Sequence, residues 1–259
     1  MNIKLLNTKQ NWLSFTISHT DNTFVNTLRR MILDEVPTMA IEEVEFKKND
    51  SVLYDEIVAH RLGLVPLKTD LKGYHFPDPD QKGETSAATH VTFTLKTKAS
   101  GMIDTSKMKS NDPKIVSVYE NIPITYLEGE QELEFAALAH LGRGKEHTKW
   151  SPGHVWFTQE PNITVNNSSN LEDFKDKYPP QIFDSSGKIN KDLILKNPSL
   201  VDACEGVNEE IVKIEYNPEN FVVYLESWGQ LDPKEIVDRA VFEFLEKVEK
   251  FKNLLNNLD

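Results

Sequence analysis

The sequence predicts an α+β fold. Three observations carry this. The chain opens with alternating apolar and polar residues, its middle repeats that alternation in two separated runs, and its end carries a long apolar stripe at helical spacing. The chain therefore carries both helical and strand periods.

Taken in order, Ile3 and Leu5 alternate with polar neighbours and Trp12 to Ile17 form a second apolar run, which reads as a β-hairpin. Phe24, Leu28, Met31 and Ile32 then fall on one face of a helix from about Asp21 to Glu35, with Thr20 or Asp21 as cap and Pro37 as stop. A strand is expected at Ala40 to Phe46. A short helix follows, with Asp55 and Glu56 at its positive start, Gly63 as C-terminal cap and Pro66 beyond it. Val91, Phe93 and Leu95 alternate, as do Leu133, Phe135, Ala137, Ala139 and Leu141. Both patterns predict half-buried strands, with Ala99 to Pro113 as a polar loop between them. From Pro161 to about Gly206 the turn-rich stretches NNSSN, KYPPQ and DSSGK mark a separate insertion. Val212, Ile214 and Tyr216, then Asn217–Asn220, then Phe221, Val223 and Leu225 predict a hairpin.

The last element has the strongest signals. Asp232 is the cap, Pro233 takes the first helical position, and Glu235 completes a box-like start. Val237, Val241, Phe244, Val248, Phe251 and Leu255 recur at 4-3-4-3-4, with Glu243–Lys247 and Glu246–Lys250 expected as solvent-side pairs. A helix of about 22 residues spans about 33 Å. The stripe fits either a long helix packed on this chain's own sheet or a core shared with a partner. It is too short for an independent coiled coil. A helix this long at a chain end outruns what one small domain covers, so the shared core is favoured.

Composition bounds the function. Of 259 residues, 39% are hydrophobic, enough for a sizeable core, and the net charge of -12 opposes a surface that grips phosphates. Direct nucleic-acid binding is not expected, and no window approaches a membrane span. The N-terminus turns polar too early for a signal peptide. One cysteine, Cys204, excludes a disulfide framework and an all-cysteine metal or cluster site. These features suit the cytoplasm.

No hydrolase elbow, zincin, P-loop or dinucleotide signature is present. His140, His147 and His154 recur every seven residues, but a strand and then Gly142, Gly144 and Pro152 separate them, which argues against convergence on a metal. Cys204 fits a small buried hydrophobe better than a nucleophile. Arg29 and Arg30 beside Leu28 fit either a solvated face or donors to a partner's carboxylates. The run GRGKEHTKWSPG sets Arg143, Lys145, His147 and Lys149 beside Trp150. It reads as a docking loop, since Trp and Arg anchor interfaces and no following helix completes a phosphate cradle.

Three segments together, FVNTLRRMILDEVPTMAI, DSVLYDEIVAHRLGLVPL and LGRGKEHTKWSPG, resemble the D-subunit family of archaeal RNA polymerases, relatives of the bacterial α subunit and its eukaryotic counterparts. With the terminal helix, the resemblance covers essentially the whole chain. It implies a discontinuous α-subunit-type dimerisation domain (1–38 plus 226–259). Into it are inserted a mostly-β domain (39–160 plus 207–225) and a small ferredoxin-like insertion (161–206). Phe24, Leu28, Met31 and the terminal stripe would pair with a smaller α-like chain, subunit L. Asn26, Arg29 and Arg30, then His60, Arg61, Leu62, Gly63, Leu64 and Pro66, then Gly142, Arg143, Gly144, Lys145, His147, Lys149 and Trp150 would dock the second-largest subunit and the small N and P subunits. None would be catalytic. Arg29, Arg30, Arg143 and Lys145 are expected to matter for recruiting the second-largest subunit, with little effect on the stability of the pair formed with subunit L.

PPQIFDSSGKI resembles the family's ferredoxin-like insertion with its cysteines gone, so no iron–sulfur cluster and no other cofactor is expected. The zinc-binding cysteines of the eukaryotic counterpart are also missing. Two other classes stay open: a free-standing scaffold outside transcription, and a metal hydrolase built on the histidine trio.

Overall fold

The computed structural model describes residues 1–76, 86–167 and 171–257, which leaves the last two residues of the expected dimerisation domain and 168–170 of the expected insertion outside the described residues. The elements run β1 (Asn2–Lys9), β2 (Trp12–Ser18), α1 (Asn22–Glu35), β3 (Pro37–Asn49), α2 (Asp55–Gly63), β4 (His90–Thr97), β5 (Gly101–Asp104) and β6 (Lys109–Ser110). After these come β7 (Pro123–Leu127), β8 (Leu133–Arg143), β9 (Gly153–Val165), α3 (Leu171–Phe174), α4 (Lys191–Ile194), α5 (Pro198–Cys204), β10 (Val212–Ser227) and α6 (Pro233–Asn256). The α+β class holds. No helix among the described residues is long and apolar enough to cross a membrane.

The strands form three sheets: β1-β2-β10-β9, β3-β8-β4-β6 and β5-β7. The chain divides into two compact units, and the strands of the first sheet contribute residues to both.

The larger unit comprises Leu5–Ser14, Thr23–Trp156 and Tyr224–Asp259. β8 pairs antiparallel with β3 (Phe46 opposite Phe135, Ile41 opposite Ala139) and with β4 (Leu95 opposite Phe135). The alternation read from the sequence is the inward face. Leu133, Phe135, Ala137, Ala139 and Leu141 are buried with Val91, Phe93 and Leu95, and α2 adds Val58 and Leu62 to that core. Tertiary packing fixes α2, because half-buried positions on a pleated sheet leave room that its two apolar side chains fill.

The smaller unit comprises Met1–Lys4, Phe15–Asn22 and Phe157–Val223. Its core gathers Ile163, Tyr178, Ile182, Ile194, Val201 and Cys204. The turn-rich composition becomes capped single turns. Asn190 accepts the Asp192 N–H at 2.8 Å to start α4, and Asn197 accepts the Ser199 N–H at 3.0 Å to start α5.

Several sequence expectations are corrected. The loop expected at Ala99 to Pro113 contains β5 and β6. Gly63 is not a left-handed cap. It lies inside α2, and the cap is Leu64 at φ -87°. The hairpin expected at Val212–Leu225 is one continuous strand. The turn signal at Asn217–Asn220 falls on an exposed stretch of the strand, between buried Val212 and the consecutive buried residues Phe221, Val222 and Val223. Asn217 accepts the Glu219 N–H at 3.0 Å, Glu219 O accepts the Thr20 N–H at 3.1 Å, and Asn220 donates to Glu160 at 2.8 Å. Those bonds tie the irregular residues to their neighbours without reversing the chain.

Candidate functional site

α6 is built as the sequence reads. Asp232 accepts the Lys234 N–H at 2.9 Å and Pro233 occupies the first turn. Its covered stripe is Ile236, Ala240 and Glu243 at i, i+4 and i+7. The stripe expected to dimerise lies beside it. Val237 is half-buried, and Val241, Phe244, Val248, Phe251 and Leu255 are 44%, 37%, 48%, 63% and 48% exposed. Phe242, Leu245 and Leu254, which periodicity did not single out, are also exposed. An apolar surface this continuous on a charged chain marks an interaction face. On α1, Phe24 is exposed and Leu28 half-buried, but Met31 is buried, so it fills this chain's own core rather than facing a partner.

An ion cluster holds α6 in place. Glu35, at the end of α1, and Glu243, on α6, are both buried. Lys247 reaches Glu35 at 2.5 Å and Lys145 reaches it at 3.3 Å. Arg143 bonds Glu243 at 3.0 Å and the Glu35 carbonyl at 3.3 Å, and Arg239 bonds Glu243 at 2.6 Å. Burial opposes ionisation of Glu35, but hydrogen bonds and charge from Lys247 and Lys145 outweigh it and hold the carboxyl below its ordinary range. Gly144 permits the approach: a β-carbon there would sit 1.9 Å from the Leu33 carbonyl oxygen, and Lys145 N donates to Asp34 O at 3.1 Å. The Arg143–Gly144–Lys145 run therefore clamps the C-terminus of α1, where cations complement the helix dipole. Arg143 and Lys145, expected as docking charges, are thus bonded to this chain's own carboxylates. The clamp also corrects the solvent-side Glu243–Lys247 pair: each of those residues bonds the clamp instead.

Trp150 is corrected as well. Expected as an interface anchor of a docking loop, it is 4% exposed in this chain. Its ring lies against Gly142, where a β-carbon would meet it at 2.3 Å, and its Nε1–H donates to His140 O at 3.3 Å. Lys149 lies 4.3 Å above that ring, donates to Ile41 O at 2.9 Å and pairs with Glu42. Leu62 belongs to the core.

The remaining sequence candidates face outward. Asn26 accepts from Arg29 Nε at 3.1 Å, and Arg30 pairs loosely with Asp34 at 3.7 Å. His60, Arg61, Leu64, Lys145 and His147 are exposed, with Gly63 and Pro66 half-buried. Arg61 donates to Ile124 O at 2.9 Å, and His147 accepts the Lys149 N–H at 3.1 Å. The structure brings two of the segments together. Leu64, Pro66 and Lys149 line one cavity of about 290 Å³ with Tyr119, Trp228 and Gln230. Sequence reasoning missed Trp228. An isolated aromatic beside a glycine is a weak signal, although it was one of only four tryptophans.

The alternative chemistries find no support in the geometry. His140 lies against Trp150, His154 lies 5.0 Å from Trp156, and His147 caps a turn. Among the described residues no group of three or more metal-capable side chains converges. Cys204 is buried, which raises its thiol's pKa and leaves it a poor nucleophile.

Comparison with known proteins gives concordant results. The family model for the RNA polymerase Rpb3/Rpb11 dimerisation domain matches residues 14–248. The DNA-directed RNA polymerase subunit Rpo3 of Thermococcus kodakarensis is 35% identical over 263 residues, covering 98% of each chain. Rpo3 of Methanosphaera stadtmanae is 31% identical over 274 residues, covering 99% of each. Rpo3 of Aeropyrum pernix is 32% identical over 252 residues, covering 91% of this chain and 88% of that one.

Proposed function

The chain belongs to the RNA polymerase Rpb3/Rpb11 dimerisation family, the α-like subunits of DNA-directed RNA polymerase, and from that premise we propose that it is the assembly platform of such an enzyme. Its pairing partner is the smaller α-like subunit, L. One observation carries this reading: α6 leaves five residues of its apolar stripe more than a third exposed while the neighbouring stripe is sealed to its own unit. Covering those side chains is worth on the order of 1 kcal/mol each, given that full burial of such a residue is worth about 1.5–3.

On this reading, residues 1–38 with 226–259 form the discontinuous pairing domain. Residues 39–160 with 207–225 form the inserted β-rich domain, and 161–206 form a ferredoxin-like module without a cluster. Asn26, Arg29 and Arg30, the outward residues of the His60–Pro66 segment, and His147 with Lys149 dock the second-largest subunit and the small N and P subunits. The chain contributes position, not catalysis, to DNA-templated transcription. It needs no cofactor, leaves nucleic-acid contact to other subunits and works in the cytoplasm.

The test is affinity purification of the tagged chain from its native cells at moderate salt. Co-purification of the smaller α-like subunit and the second-largest polymerase subunit in equal amounts is expected. Recovery of the chain alone, or with unrelated proteins, contradicts the proposal.

A further inference from the structure

A chain with a net charge of -12 gathers lysines in one place. A recess of about 240 Å³ on the β3-β8-β4-β6 sheet is lined by Lys47, Lys96, Lys107 and Lys109. Thr94 and Ala136 complete it, and Glu134 is the one carboxylate that lines it.

Strand register explains the gathering. Residues directly opposite one another on antiparallel strands share a face. Thr94 of β4 stands opposite Ala136 of β8 and Lys109 of β6, and Lys96 stands opposite Glu134. Phe93, Leu95 and Phe135, of the other parity, fill the core, so these rows face away from it. Lys47 falls at a register shift between Phe46 and Lys48, and such a bulge re-aims a side chain. Lys107 ends the single turn Thr105–Lys107, which Asp104 opens by accepting the Ser106 N–H at 3.0 Å. Buried Thr105 anchors that turn by donating to Tyr119 O at 2.6 Å. Ala136 leaves the floor low where a longer side chain would fill it.

The cations outnumber their partners. Lys96 reaches Glu134 at 2.6 Å and Glu132 at 4.0 Å, and Lys98 holds Glu132 at 3.2 Å. Lys47 acts on Glu134 through charge alone. Among the described residues, Lys107 and Lys109 have no carboxylate at ion-pair distance. A recess lined by one sign of charge focuses its field and concentrates counter-ions.

We propose that this recess is an anion site for a compact oligophosphate, either free pyrophosphate or the phosphate tail of a nucleotide. The proposal stands apart from the assembly reading. Lysine ammoniums are point charges with rotatable donors. The planar fork that matches a carboxylate is arginine's, and no arginine lines the recess. A carboxylate brings one charge, whereas a phosphate group brings about 1.5–2 charges and three acceptor oxygens near neutral pH. That answers the two unpaired ammoniums, and the Thr94 hydroxyl adds a neutral donor. The volume is roughly eight times the 30 Å³ share of one liquid water, room for a compact anion and not for a strand. Glu132, beside Lys96 and Lys98, repels a longer polyanion.

The experiment is calorimetric titration of the full-length chain with sodium pyrophosphate at low salt, where such attraction is least screened. Saturable one-to-one binding is expected. Lys107→Gln with Lys109→Gln should weaken it roughly tenfold or more. Lys48→Gln with Lys98→Gln removes the same charge outside the recess and should stay within about twofold of the parent. Ala136→Leu keeps every lysine, fills the floor and should abolish binding. ATP, adenosine, a polyglutamate peptide and a single-stranded oligonucleotide separate the occupants. ATP tighter than pyrophosphate, with adenosine silent, assigns the nucleotide as the source, and the reverse order assigns the free anion. Equal losses in the two lysine pairs, or undiminished binding by Ala136→Leu, mean diffuse attraction and overturn the site. Tighter binding of the peptide or the oligonucleotide overturns the compact oligophosphate. Absence of saturable binding to the unaltered chain overturns the proposal whether or not the variants fold.

Discussion

Replacing Arg143 with alanine tests the clamp most sharply. The guanidinium bonds Glu243 at 3.0 Å and the Glu35 carbonyl at 3.3 Å, approaches the Glu35 carboxylate at 3.8 Å, and lies 4.2 Å over the Phe76 ring. Breaking a buried ion pair from one side typically costs about 3–5 kcal/mol, because the abandoned charge stays buried. Here the loss is partly cushioned. Glu35 keeps Lys145 and Lys247, Glu243 keeps Arg239, and the Arg143 side chain is itself 26% exposed. A cost of about 2–3 kcal/mol follows, or roughly 5–10 °C in melting temperature for a chain this long. Calorimetry at fixed protein concentration measures it, with Arg30→Ala as the reference. Arg30 is 68% exposed, and its 3.7 Å pair is expected to contribute under about 0.5 kcal/mol. If Arg143→Ala melts within 1 °C of the parent, or Arg30→Ala falls as far, the clamp is not what holds α6 to α1.

Three further outcomes follow from the same geometry. Gly144→Ala places a methyl against the Leu33 carbonyl and should cost about 1–3 kcal/mol in urea unfolding; a neutral result means the loop can retreat from α1. Glu35 titrates lower in the folded protein than its ordinary 4.5, so its contribution is complete above that value and is lost as pH falls through the folded value. Stability of the parent should therefore drop more steeply than that of Glu35→Gln between about pH 5 and 3, and parallel curves would contradict the assignment. Elemental analysis should find no iron, acid-labile sulfide or stoichiometric zinc. About one metal per chain surviving dialysis would overturn the reading of Cys204 as a plain buried residue.

Much of the fold was legible because local signals agreed with burial. The cap and first-turn proline of α6, the parity of Leu133 to Leu141, and the apolar face of α1 each state in one segment what the structure does with it. Trouble began where a local signal had two structural meanings. Asn217-Pro218-Glu219-Asn220 has turn chemistry, yet a strand runs through it once its polar groups find partners within the segment and beside it. Gly63 looks like a cap, but it lies inside α2, 3.5 Å in β-carbon terms from Ile41 O.

The candidate site was legible in outline and misread in detail. The terminal stripe was visible because it repeats. The clamp was not, because its partners lie 108 and 100 residues apart and neither Glu35 nor Glu243 differs from a solvated glutamate in sequence. Trp150 carried the composition of an interface anchor, but Gly142 opens the space that buries it.

The central claim is that the exposed face of α6 is the pairing surface. Phe244 and Phe251 are 37% and 63% exposed in this chain, so Phe244→Asp with Phe251→Asp removes little from its own core. In a shared core the same carboxylates lose their water without gaining partners, at a cost of several kcal/mol. Size-exclusion chromatography with light scattering on the chain co-expressed with the smaller α-like subunit is the direct measurement. The account predicts a heterodimer for the parent and separate chains for the double variant, whose own melting temperature stays close to the parent's. An undiminished heterodimer in the double variant would contradict it.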